Sequence, residues 1–171
     1  SKSSVRSSRL VHSSPELGLP PTACTSNGSK FVTWAGRNNS TLTLHLAREK
    51  DNGCWAIETP FANPGVDCFR PSIAATDDGF VLAWDEYCDG SYRIAVAKFQ
   101  NGAWSKVERV GADNERWLAP QAVAGSKGVY LTWTVLKSVR DKLGIVDNAA
   151  YAMMASYKNE ELEILYDENN T

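Results

Sequence analysis

Three stretches decide the fold: Pro21-Thr-Ala-Cys-Thr-Ser-Asn-Gly-Ser-Lys-Phe-Val-Thr-Trp34, Pro71-Ser-Ile-Ala-Ala-Thr-Asp-Asp-Gly-Phe-Val-Leu-Ala-Trp84 and Pro120-Gln-Ala-Val-Ala-Gly-Ser-Lys-Gly-Val-Tyr-Leu-Thr-Trp133. Each opens on proline, runs through a short apolar segment, turns at a glycine and ends in a β-branched or aromatic run closed by tryptophan. Gly, Asn and Asp tolerate the positive φ of tight turns, so each stretch reads as a β-hairpin. The prolines and the closing tryptophans both recur at 50 and 49 residues, and Trp55 and Trp104 are 49 apart. Three markers holding one period are the signature of a repeat architecture.

The period extends outward from the hairpins. A third strand is expected at 41–48, 92–99 and 150–157. In the first unit Leu42, Leu44 and Leu46 alternate with Thr43 and His45, as one buried sheet face requires. Turns at Asp51-Asn-Gly53 and Gln100-Asn-Gly102 lead to a fourth strand starting at Trp55 or Trp104. No long stretch has apolar spacing near 3.6, and Gly and Pro punctuate throughout, so no helix is expected. Four antiparallel strands per about 49 residues predict an all-β fold of β-propeller blades, with a β-sandwich as the alternative. Blades buried on both faces account for Phe80-Val-Leu-Ala-Trp84, which is apolar on both sides.

The domain organisation follows. Residues 1–20 form a Ser-rich N-terminal segment with a spare outer strand. Blade 1 covers 21–70, blade 2 covers 71–119, and blade 3 covers 120–171 with a long loop at 136–148 and an acidic tail. The interval from Trp133 to Ala152 is nineteen residues where its counterparts are ten, and loops enlarged in this way often carry function. Three blades cannot close a ring, and two broad apolar faces would be left in water. The expectation is half of a six-bladed ring, completed by a homodimer or by the remainder of the same propeller.

The 171 residues suit one domain. Hydrophobic residues at 43% and charged residues at 22% argue against disorder through most of the chain. Eighteen basic and 20 acidic residues nearly cancel, which speaks against nucleic acid as a partner, and no apolar run reaches the length of a membrane span.

The repeats resemble sialidase-like propellers with bacterial-neuraminidase repeats, whose Asp-box runs Ser/Thr-x-Asp-x-Gly-x-Thr-Trp in outline. Asp51, Gly53 and Trp55 match that box, and Gly102 and Trp104 keep its Gly and Trp. The third unit, Tyr157-Lys-Asn-Glu-Glu-Leu162, lacks it, and the opening Ser/Thr is missing everywhere. The resemblance covers roughly residues 20–165. The box is structural: an acidic side chain caps the turn, Gly supplies positive φ and Trp plugs between strands. Trp34, Trp84 and Trp133, with Trp55 and Trp104, are accordingly packing residues.

The resemblance implies that ligands sit on the face carrying the loops between second and third strands and the links between blades. Position places Arg37, Arg70, Asp85, Glu86, Tyr87, Arg116, Trp117 and Arg140 there as candidate ligand-binding residues. Arginines and carboxylates bond sugar hydroxyls or an acidic sugar's carboxylate, and an aromatic stacks on the ring. A sialidase uses three arginines, a tyrosine–glutamate pair and an acid aspartate. Arg37, Arg70 and Arg116 fall on the implied face, but no tyrosine–glutamate pair is assignable. Asp85 and Glu86 are sequential, so on a strand they point to opposite faces. They form a glycosidase pair only if a loop reorients one of them. No catalytic residue is assigned.

The function expected is a carbohydrate-recognition propeller. Half of a glycoside hydrolase and a structural or protein-interaction propeller are the alternatives. No metal or cofactor is expected, because the cysteines show no zinc-ligand spacing. Cys68 and Cys88 map to one face of adjacent blades, and a disulfide between them would indicate an extracellular or periplasmic protein.

Overall fold

The computed structural model describes residues 19–50, 53–140, 144 and 146–167. The predicted spare strand at 5–11, Asp51 and the end of the acidic tail lie outside them. The described residues are all-β, with no helix among them and therefore none long and apolar enough to cross a membrane.

The first unit is a four-stranded antiparallel meander, β1 (Thr22–Ser26), β2 (Ser29–Asn38), β3 (Thr41–Glu49) and β4 (Trp55–Glu58). The second runs β5 (Asp67–Thr76), β6 (Gly79–Cys88) and β7 (Ser91–Gln100), with β8 (Ala103–Trp104) and β9 (Glu108–Val110) both pairing with β7. The third is β10 (Glu115–Gly125), β11 (Gly128–Arg140), β12 (Val146–Lys158) and β13 (Glu161–Asp167). A single parallel bridge, Arg116 to Tyr92, joins the second and third units into one nine-stranded sheet.

Turn chemistry places the hairpins. Asn27 and Gly28, and Asp89 and Gly90, take positive φ at the tips. Gly79 answers a different need: a Cβ there would stand 1.8 Å from the Phe99 carbonyl oxygen, so no other residue fits.

The first strand of each unit packs on the first strand of the next, β1 on β5 and β5 on β10. Bonds cross each seam: Ser26 Oγ donates to the Thr76 carbonyl (3.1 Å), and the Ala122 N–H donates to Ser72 Oγ (2.9 Å). Two cores result. One joins Phe31, Leu44 and Leu46 to Phe80, Leu82 and Trp84. The other joins Val81, Ala83 and Ile94 to Leu131, Trp133 and Val135. Strand β6 supplies both, one from each face, which is why its sequence is apolar without alternation.

The loop expected at 136–148 is largely a correction. The β11–β12 ladder continues through Leu136–Ala150 and Ser138–Asn148 to Arg140–Val146, so the additional residues lengthen a hairpin.

Candidate functional site

The β6–β7 end of the second unit gathers most of the predicted site residues, in roles different from those expected. Residues alternate along a strand, and Asp85 and Glu86 do turn to opposite sides of β6. Both are buried, at 0% and 1% exposure. Asp85 accepts from Arg70 Nε (3.0 Å), pairs with the same guanidinium through Nη2, and accepts from the Ala119 N–H of the next unit (3.3 Å). Glu86 accepts from Trp84 Nε1 (3.1 Å), Arg93 Nε (3.2 Å), Arg109 Nε (2.8 Å) and Arg109 Nη2 (3.1 Å).

This arrangement corrects two expectations. Neither carboxylate is available to a ligand, and β6 carries both as regular strand, so no loop brings them together as a glycosidase pair. The Asp85 carboxyl is pushed up by burial, while Arg70 and the Ala119 N–H pull against that shift. Arg109 is held firmly protonated by its bonds to Glu86.

Backbone strain helps build the Asp85 side. Arg70 (φ 40°) and Ala119 (φ 55°) each precede their unit's proline, where extended conformations are normally required. Each lies within a register irregularity, between Phe69 and Ser72 and between Leu118 and Gln121. Such residues cost about 1–3 kcal/mol and persist where surroundings over-determine them. Here the Asp85 carboxylate holds both bulges, one through a guanidinium and the other through a backbone N–H.

Above the buried acids lies an aromatic and cationic surface. Tyr87, 38% exposed, pairs across the hairpin with Tyr92 at 4.8 Å between ring centroids, and Phe69 meets Tyr92 at 6.0 Å. The Arg70 guanidinium carbon lies 5.6 Å from the Phe69 ring centroid. Arg116 is exposed, and its backbone bridges to Tyr92. Arg93, Arg109 and Tyr92 were not among the sequence candidates. Counting outward from the Asp89-Gly90 turn pairs Tyr87 with Tyr92 and Glu86 with Arg93 and would have found two of them.

Other candidates lie elsewhere. Arg37 sits in the first unit's β2–β3 hairpin, with a long contact (3.5 Å) to the Ser40 carbonyl. Trp117 is corrected from stacking platform to core: it is 8% exposed, stacks on Trp133 at 5.5 Å and donates through Nε1 to Glu115 (2.9 Å). Its alternation along β10 turns it toward the second unit, where a sugar cannot reach. The Arg140 side chain lies outside the described residues. Trp84 and Trp133 are buried, Trp104 packs on Phe61, Phe80 and Phe99, and Trp34 stacks on His45. Trp55 is half-buried, and Gly53 and Gly102 have the positive φ expected of the box turn.

The disulfide is also a correction, since Cys68 and Cys88 are not bonded to each other. Cys68 lies opposite Glu86, which makes Cys88 its diagonal neighbour. Diagonal residues sit about 7–8 Å apart, beyond the usual reach of a disulfide. Burial pushes the Cys68 thiol up to about 12, so it is unreactive at neutral pH. Thiol titration of the denatured chain is expected to return four groups; two would restore the disulfide.

Glu115 anchors the third unit's entry to this end, accepting from Trp117, from Tyr151 (3.1 Å) and from Lys137 (3.2 Å). Burial pushes its carboxyl up, but the bonds from Trp117, Lys137 and Tyr151 outweigh that and hold it below its ordinary value of 4.5. A depressed carboxyl contributes stability above its unfolded pKa and loses it as pH falls through the folded one. The Glu115→Gln variant should therefore be less stable at neutral pH and lose less stability than wild type on acidification below about 4.5. Chemical denaturation at stepped pH reads this, and parallel wild-type and variant curves would contradict it.

No protein-family model matches the chain, and no curated protein matches it. Some solved structures are similar to it at low TM-score. A candidate glycoside hydrolase from Bacteroides ovatus has TM-score 0.40 at 13% identity, covering 85% of this chain and 70% of that one. A glycosyl hydrolase from the same organism gives 0.39 at 14%, covering 85% and 69%. A candidate glycosidase from Bacteroides thetaiotaomicron gives 0.38 at 14%, covering 85% and 70%. At these values the site must be read from its own residues.

Proposed function

We propose that the chain is a sialidase-like, carbohydrate-recognising half of a six-bladed β-propeller that binds without hydrolysing. The observation carrying this is the surface at the β6–β7 end. Two tyrosines form an amphipathic shelf, with Arg70 and Arg116 at its margins. Tyrosine presents an apolar ring and a polar tip, and arginine forks onto carboxylates and hydroxyls. Hydrolysis is left out because Asp85 and Glu86 are each consumed by arginines.

Ring completion by a second copy rests on the repeat. Val123 of the third unit corresponds by period to Ala74 of the second. Ala74 is 5% exposed because the third unit covers it, whereas Val123 is 63% exposed. Ile164, Leu165 and Tyr166 on the edge strand β13 are exposed as well. A unit of the same architecture, taken from a second chain, would cover them as the third unit covers the second.

A glycan array that includes sialylated and uronic-acid glycans tests the reading. The wild type should bind an acidic glycan, and Arg116→Ala, which leaves both buried acids paired, should weaken it at least tenfold. Turnover of a fluorogenic sialoside should be absent. A silent array would leave a structural or interaction propeller in its place.

A further inference from the structure

At the opposite end of the same units lies a cavity of about 540 Å³, between the β5–β6 turn and the β12–β13 turn. The repeat explains why it is there. At the junction of the first and second units, four large rings fill this position. Phe31 meets Phe80 at 4.7 Å, Phe80 meets Phe99 at 5.1 Å, and Phe99 meets Trp104 at 5.1 Å. One period on, Val81 stands for Phe31 and Val129 for Phe80. Through the strand registers, Tyr157 stands for Phe99 and Leu162 for Trp104. Three rings are lost, including the tryptophan of the vanished third box, and the space they would occupy stays open.

We propose that this cavity is a binding site for a neutral, hydroxylated small molecule the size of one or two sugar rings. Its volume lies within the range of about 300–1,000 Å³ usual for small-molecule sites. The floor is apolar, made by Val81 and Val129 with the buried Tyr157, and suits the C–H face of a sugar. The rim mixes donors and acceptors with little net charge. Asp78 is already bonded by Lys98 (3.0 Å), by Thr76 (3.0 Å) and by Gln100, so it does not select a cation. Asn159 and Glu160 face them across the opening, and Lys158 offsets Glu160.

The Tyr157 hydroxyl is closed off from solvent and stands apart from the proposed contacts. It is buried and has no hydrogen-bond partner. Its polar neighbour Ser105 donates to the Lys106 carbonyl (2.9 Å) and accepts from the Lys98 N–H (2.9 Å). Burial raises the phenol's pKa, so it remains a neutral donor.

The test is an NMR titration of the whole chain with glucose, maltose and myo-inositol, each followed through the backbone amides of Gly128, Lys158 and Asn159. At least one probe should give saturable shifts at these amides. Val129→Phe restores a ring of the filled junction and should weaken that binding at least tenfold. Val81→Phe restores the other lost phenylalanine of the filled junction and should weaken it about fivefold. Arg116→Ala, at the other end, should leave it unchanged, which separates this site from the arginine–tyrosine surface. No saturable shift with any probe would overturn the proposal. So would undiminished binding in Val129→Phe or, if that variant fails to fold, in Val81→Phe.

Discussion

Trp84→Ala is expected to lower the unfolding free energy by about 3–5 kcal/mol, the range for truncating a fully buried tryptophan. Trp84 is completely enclosed, stacks on Phe61 at 4.7 Å, and donates to Glu86. Truncation opens a cavity at the centre of the first core and removes one of the four hydrogen bonds on a buried carboxylate. Trp34 holds the same repeat position but is only half-buried, so Trp34→Ala should cost visibly less in dilute solution. Denaturant unfolding of both variants at equal concentration reads the difference. Equal losses would mean that repeat position, rather than coverage by a neighbouring unit, sets the contribution.

Glu86→Ala should be nearly as damaging, at about 3 kcal/mol. Breaking a buried ion pair by removing one partner costs about 3–5 kcal/mol. Arg93 and Arg109 are each over a third exposed and regain some water, which places the loss at the lower end. Arg109→Met should cost less than Glu86→Ala, because Arg93 and Trp84 still satisfy the carboxylate. In the double variant, removing Arg109 on top of Glu86 should add little. Additive losses would show that the contacts are independent and that Glu86 is not their hub.

The architecture was legible because period, turn glycines and alternation all encode backbone. Pro21, Pro71 and Pro120 mark each first strand, and the third strands expected at 41–48 and 92–99 agree with β3 and β7 to within a residue, whereas β5 begins four residues before Pro71 and the strand expected from Trp104 is split into β8 and β9. The third unit's hairpin was not legible as strand. Residues that continue a ladder and residues that leave it differ little in composition between Leu136 and Asn148. The site was legible as a place and less so as a set of roles. Position on the loop end brought out Arg70, Tyr87 and Arg116. It could not show that Trp117 turns inward or that Asp85 holds two bulges, since both depend on packing between units. Arg109 was hidden because β9 follows an irregular break after β8, and no counting of register crosses it. The cavity was written in the sequence as lost aromatics, but only strand register shows that the four positions converge.

Sedimentation equilibrium of the chain at micromolar concentration tests the half-ring account most directly. The account predicts a dimer of twice the 18.8 kDa chain, weakened by a charge at Val123, as in Val123→Glu. A stable 18.8 kDa monomer with Val123 still exposed would contradict it.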